Sequence, residues 1–237
     1  MPRQTATLIA LHEPAARTAG KGRQTRQAIL DCALQLAGRV GLQGLSIGLV
    51  ADAIGMSKSG VFAHFGAREE LQLSVVRHYR ERFEHLVFQP ALQQPRGLPR
   101  LHLLFTRWVA EVGRELESGC IDISGAIEFD DQPGAVRDAL AAMVLAWQQA
   151  LQRAVTQAVE AGHLRPQTDP EQLVFELQSL VLGLHHAARF LHLPDCLLRV
   201  GLAWQRLLDC QLTPAGRRLG PALAQLPGCS SHFGDPR

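Results

Sequence analysis

Between residues 46 and 65 the chain reads SIGLVADAIGMSKSGVFAHF, and its few polar side chains are of the kinds that hold phosphate oxygens. Ser46 and Ser57 each stand just before a short helical pattern, where a seryl oxygen can accept from an orphan backbone N–H of the first turn. A helix start also favours anions, so a capped N-terminus with a hydroxyl beside it is a natural seat for a phosphate. Lys58, Ser59 and Gly60 continue the first turn of the second helix. Small side chains there let a backbone come close to a ligand, and Lys58 can reach a base edge or a phosphate. This is binding chemistry. No nucleophile–base arrangement, phosphate-cradling glycine loop or metal motif supports an enzyme, and no cofactor is implied.

The elements that must position these groups can be read from the small residues between them. Two short helices crossing steeply need a tiny side chain at their closest approach, which Ala51 supplies, and a turn that tolerates positive φ, which Gly55 supplies. Val61 returns from the second helix into the joint, and Val50 and Ile54 close it from the first. Upstream, Ile29, Leu30, Ala33, Leu36 and Ala37 make one stripe of an amphipathic helix ended by Gly41. Downstream, Leu71, Val75, Tyr79, Phe83 and Leu86 mark a long helix, and Phe65 is expected in the core of the trihelical head.

The stretch AILDCALQLAGRVGLQGLSIGLVADAIGMSKSGVFAHFGAREEL, within residues 23–82, resembles the tetracycline-repressor (TetR) family of bacterial regulators. The family usually has Tyr where Phe62 stands, followed by a variable residue and then His-Phe. His64 and Phe65 match, while Phe62 lacks the hydroxyl that would bond a phosphate. Arg68 matches the family's usual Lys and would clamp a phosphate. The resemblance implies double-stranded DNA with a palindromic operator as partner, a small-molecule effector of unknown identity and a homodimer. A further segment, GCIDISGAIEFDDQPGAVRDAL, resembles one C-terminal subgroup of the family and carries the likeness to about residue 210.

Composition agrees with a globular binder. The chain has 237 residues, 46% of them hydrophobic and 19% charged, with a net charge of +2. Residues 1–68 hold eight Lys and Arg against three Asp and Glu, and the rest is mildly acidic. A basic head suits a polyanion. Five scattered cysteines without a CxxC pair argue against a disulfide framework or zinc. Nothing near Cys120 would lower its pKa as a redox sensor requires. His185, His186 and His192 do not make an i,i+4 zinc pair. Without an apolar run of about 18 residues or a signal-like N-terminus, a cytoplasmic protein and no membrane partner are expected.

The expected fold class is all-α. Residues 1–21 are read as a disordered arm whose Arg3, Arg17 and Lys21, with Arg23 beyond it, could touch DNA or simply be solvated. Residues 22–82 form a three-helix helix-turn-helix DNA-binding head, joined by the long helix to a helical body at 83–212 that binds effector and dimerises. Residues 213–237 are read as a disordered tail. Helices near 169–192 and 194–212 carry apolar residues outside one face (Val174, Phe175, Leu182, Leu198, Leu202, Leu208), which suggests a four-helix dimer interface, with Leu184 and Trp204 expected in its seam. Phe83, His102, Phe105, Trp108, Phe129, Met143, Trp147, Phe175 and Gln178 could line a ligand cavity or be plain core. A DNA-binding or architectural protein without a small effector is the alternative.

Overall fold

The computed structural model describes residues 14–223, with side chains from 22 to 220 and at Leu223. Among these residues no strand forms beyond a single bridge between Leu164 and Leu212, so the chain is all-α. No helix among them is long and apolar enough to cross a membrane. Helices α1 (Pro14–Val40), α2 (Ile47–Ile54), α3 (Lys58–Phe65) and α4 (Arg68–Phe83) build the head. α1 starts inside the stretch read as a disordered arm, which is thereby corrected: residues 14–21 extend the first helix, while residues 1–13 lie outside the described part.

Local chemistry accounts for the head. The Ser46 hydroxyl accepts from the Leu49 amide at 3.2 Å, and Ser57 from the Gly60 amide at 3.1 Å. Gly55 closes α2 in the left-handed region at φ 70°, donating to the Ala51 carbonyl. Ala51, Val50 and Val61 are fully buried where α2 crosses α3, and Phe65 is buried with Ile29, Ala33, Leu71 and Val75.

After α4 the helix widens into a π-turn, Glu84–Phe88, and continues as α5 (Gln89–Leu92). Arg107 donates to the Leu86 carbonyl at 3.0 Å, one of the groups that the irregular ladder leaves for outside partners. The body then comprises α6 (Leu98–Glu115), α7 (Ile121–Glu128), α8 (Ala135–Glu160), α9 (Pro170–His185) with a π-turn at His186–Phe190, and α10 (Cys196–Gln211). α6 is the central rod, buried almost all round. Leu151 and Val155 of α8, Leu173 and Leu177 of α9, and Val200 and Trp204 of α10 pack in the same core.

The tail expected from residue 213 is ordered where it is described. Thr213 caps α11 (Pro214–Arg217) by accepting from the Gly216 amide, and its own amide donates to the His163 carbonyl. Beyond it, α12 (Gly220–Leu223) brings Leu223 into the body core. A threonine followed by proline, read as a stop, is here a new helix start. The rest of the expected tail, 224–237, lies outside the described residues.

Head and body are not separated at residue 82. Ile121, Phe129, Val136 and Leu140, all from the body, belong to the head's core. Phe129 is therefore core of the head, which corrects its expected place in a ligand cavity. Backbone touches backbone beside it. A Cβ on Gly38 would meet the Ser118 carbonyl oxygen at 1.8 Å, and one on Gly119, at φ 95°, would meet the Gly38 carbonyl oxygen at 2.0 Å. Arg189 closes the same joint, donating to the carbonyls of Leu116 and Gly38.

Only glycine fits on either side of this contact. Gly119→Ala adds a left-handed strain to the clash and is expected to lower stability by about 2–4 kcal/mol, more than Gly38→Ala. Urea unfolding of the two variants checks the order; unchanged midpoints would mean that α1 and the α6–α7 turn do not touch.

Candidate DNA-binding face and ligand cavity

The face built by α2 and α3 collects most of the polar residues singled out from sequence. Ser57, Lys58 and Ser59 are exposed in the first turn of α3, with the Ser57 and Ser59 hydroxyls 3.2 Å apart, and Gly60 follows. The Lys58 side chain runs back over α2, its Cε placed where a Cβ on Gly48 would meet it at 3.3 Å. Its ammonium thus lies beside the Ser46-capped start of α2, and the two positive features together favour an anion there. Phe62 is 54% exposed, so its ring is not turned into the small core. His64 is half-buried against Phe65.

Arg68 differs from a free clamp. Its Nε donates to the Leu45 carbonyl at 2.9 Å and an Nη to the Gln43 carbonyl. Gln72 donates to the Leu42 carbonyl at 2.8 Å, so α4 holds the whole α1–α2 turn. From the other side the Gln43 amide donates to Glu128 at 2.7 Å, and its side chain reaches Gln132. Arg68 is still exposed and keeps N–H groups for an anion, but it also positions the turn that leads into Ser46.

The second feature is a cavity of about 220 Å³ bounded by α4, α6, α7, α8 and α9. Of the residues expected there, Phe83, Trp108, Met143, Trp147 and Gln178 line it. His102 and Phe105 do not. They pack on Trp204, whose indole donates to His102 Nδ1 at 3.1 Å, and burial lowers the His102 pKa to about 4, keeping it neutral. Phe175 is 68% exposed on the outer side of α9. Tyr79, Arg80, Glu84, Phe88, Asp122 and Arg153 complete the wall. Their sequence signal was weak. Tyr79 reads as a stripe residue, and Asp122 sits in a short segment with no visible partner.

At Tyr79 and Asp122 the floor of the cavity backs onto a cluster of acids. The Tyr79 hydroxyl donates to Glu115 at 3.1 Å and lies 3.4 Å from Asp122, while the Cys120 thiol donates to Asp122 at 2.6 Å. Burial raises Glu115 to about 7, against shared hydrogen bonds from Cys120 and Tyr79 that pull the other way. Burial raises Asp122 as well. Burial and then the neighbouring carboxyls hold the Cys120 thiol well above its usual value, so it is a hydrogen-bond donor and not a reactive thiolate. Next to this cluster, Glu111 carries two arginines, Arg82 at 3.1 Å and Arg114 at 2.6 Å.

The helix-turn-helix head thus shares its core with an all-α body that carries a half-open cavity. Residues 29–75 match the family described as bacterial regulatory proteins, tetR family, and residues 97–203 match the tetracyclin repressor-like C-terminal domain. These two matches span well over half of the chain, and the chain belongs to the TetR family of transcriptional regulators. Among solved structures, a TetR regulator from Chloroflexus aurantiacus shares 22% identity over 82% of this chain and 100% of its own, with a TM-score of 0.72. AibR in complex with isovaleryl coenzyme A and operator DNA shares 25% identity, covering 68% of this chain and 85% of its own, at a TM-score of 0.56. The ketosteroid regulator KstR2 of Mycobacterium tuberculosis shares 16% over 80% of this chain and 95% of its own, at 0.60. Comparison with curated proteins finds no match.

Glu115 sets a pH dependence with a definite sign. Its carboxyl, ordinarily near 4.5, binds its proton up to about 7 in the folded chain. Between these values the native state holds a proton that the unfolded state has lost, so stability falls as pH rises through the window, by about 3 kcal/mol at most. Glu115→Gln is expected to flatten that slope and to be more stable than wild type near pH 8. Denaturant midpoints near pH 5 and pH 8 measure it, and parallel slopes for the two proteins would contradict it.

Proposed function

We propose that the chain is an operator-binding repressor that acts in the cytoplasm as a homodimer and leaves its DNA when a small molecule fills the cavity. In this reading residues 22–82 hold the DNA-binding head and 83–212 the effector-binding and dimerising body, with α7 shared between them. Ser46, Ser57, Lys58, Ser59 and Gly60 meet the major groove and its flanking phosphates, with Phe62, His64 and Arg68 at the edge. The observation that carries the coupling is Tyr79. It belongs to the head's core and to the cavity wall at once, and its hydroxyl is bonded to acids of the body. A ligand that presses on Tyr79 or Asp122 therefore prefers one placement of α4, and such a difference in affinity is what shifts a two-state equilibrium. Operator DNA and isovaleryl coenzyme A in the AibR complex support a reading with both partners.

The dimer rests on exposed apolar side chains. Phe175 and Leu182 on α9, Leu202 on α10 and Leu145 on α8 are exposed by 44–68%. Leu184 and Trp204, expected in the seam from sequence, are each 2% exposed inside the chain's own core, as is Val174. Charges there would unfold the protomer and say nothing about association. The informative variant is Phe175→Glu with Leu182→Glu, expected to sediment as a folded monomer at micromolar concentration with weakened operator binding. A dimer that survives both changes counts against this interface.

For the head, Lys58→Ala is expected to lower the salt slope of operator binding by about one unit with an unchanged melting temperature. Arg68→Ala is expected to lower both, because the turn at Gln43 loses its strap. Phe62→Tyr places a hydroxyl in water and not in the core, so melting should not change while operator affinity rises up to about tenfold. Fluorescence anisotropy at two salt concentrations, beside thermal melts, separates the three. A drop in melting for Phe62→Tyr would overturn its placement.

A further inference from the structure

The cavity floor has a charge problem that its neighbours do not solve. Glu111 is compensated by Arg82 and Arg114, but among the described residues no arginine or lysine is bonded to Glu115 or Asp122. They share the Tyr79 hydroxyl and the Cys120 thiol, and Asp122 also takes the backbone amides of Ile123 and of its own residue, all donors without charge. Of the charged groups around them, Arg80 on α4 is paired with Glu84 at 2.8 Å. Arg189 is spent on the Leu116 and Gly38 carbonyls. His185 on α9 is held neutral by burial, with Arg189 and His186 pushing the same way. Arg153 on α8 stands in the wall without a carboxylate partner. A buried carboxyl without a counter-charge keeps a proton or waits for a cation.

The walls above this floor suit a cation with an apolar body. Phe83 and Trp147 meet nearly at right angles with ring centres 4.9 Å apart, and Trp108 meets Trp147 at 78° and 5.5 Å. Rings of different orientation therefore bound one space, and a positive charge is attracted to the face of each. Among the polar atoms of lining residues, Trp108 Nε1, Trp147 Nε1 and Gln178 Oε1 are buried with no hydrogen-bond partner. None of the three is open to the cavity, so a ligand there meets the apolar surface of these side chains and not these atoms. An anion would find Arg153, and Arg80 already paired with Glu84, with Asp122 in the same wall.

We infer that the cavity takes an organic cation, an amine or quaternary ammonium on a small aromatic or aliphatic body, with its charge over Asp122 and Tyr79 and its body against Phe83, Trp108 and Trp147. The inference rests on the reading of this cavity as the effector site. The ligand supplies the counter-charge that the fold omits. It also draws Tyr79 on α4 and Asp122 on α7 toward one point, and both elements enter the head's core.

Two isosteres that differ in charge test it: (3-hydroxybenzyl)trimethylammonium and 3-neopentylphenol, titrated into the intact protein with tryptophan fluorescence and calorimetry. Near pH 8 the cation is expected to bind about tenfold tighter than the phenol. Near pH 5.5, with Glu115 protonated beside Asp122, the preference should shrink. Asp122→Asn should abolish the preference at pH 8 while the phenol binds as before, which shows the cavity intact. Equal affinities in wild type, a tighter phenol, or no binding of either probe at millimolar concentration would overturn the assignment. So would tighter binding of the anion 3-hydroxybenzoate. Operator release, followed by anisotropy on the same samples, keeps the two readings apart. Cation preference without release upholds the ligand class and removes the effector role, whereas release by the phenol or the benzoate upholds the effector role and removes the class.

Discussion

Two pieces of bare backbone in contact hold this molecule together as one body. At Gly38 and Gly119 the end of α1 and the turn after α6 approach so closely that neither can carry a side chain. Everything near the joint is arranged around that approach. Arg189 ties both carbonyl edges, Glu128 takes the Gln43 amide, and Phe129 and Ile121 enter the head's core beside it. A hinge would expose these groups to water. Instead the head is mounted on α7, and movement of one is movement of the other.

This mounting decides how a small molecule could be felt at a distance. α4 runs as one helix from Arg68, which straps the turn before Ser46, to Tyr79 and Phe83 in the cavity wall. α7 runs from Asp122 in the same wall to Glu128 under the same turn. The turn at Gln43 is thus held from two sides by helices whose other ends meet in one cavity. A packed, hydrogen-bonded frame of this kind passes on discrete shifts and resists gradual bending.

How far the sequence reached depends on the range of the physics involved. The head was legible because its determinants are local: caps at Ser46 and Ser57, a positive-φ turn at Gly55, and a small side chain at Ala51. The body's helices were legible from their stripes and stops. The cavity was only half legible. Periodicity reports that Phe83, Phe105, Phe129 and Trp147 are buried, but not in which core, and two of them lie away from the cavity. Tyr79 and Asp122 are 43 residues apart and Arg153 is further still, so no spacing announces them. Leu184 and Trp204 misled for the same reason. A helix with apolar residues all round can be spending them inside its own chain, as α10 does at Trp204. The tail after Thr213 was misread because Thr-Pro serves equally as a stop and as a helix start.

The π-turn at Glu84–Phe88 gives the chain a place where its length can vary. In a regular α-helix, removing or adding one residue rotates everything beyond it by about 100° and moves it by about 1.5 Å. Across α4 such a change would swing the operator-facing helices away from any register set by a partner protomer. A π-turn already holds one residue more than an α-turn needs, and losing it restores the plain ladder. Deletion of one residue within 84–88 therefore leaves the aim of the head intact, while the same event between Arg68 and Phe83 does not. Related chains that differ in length along this helix should differ there.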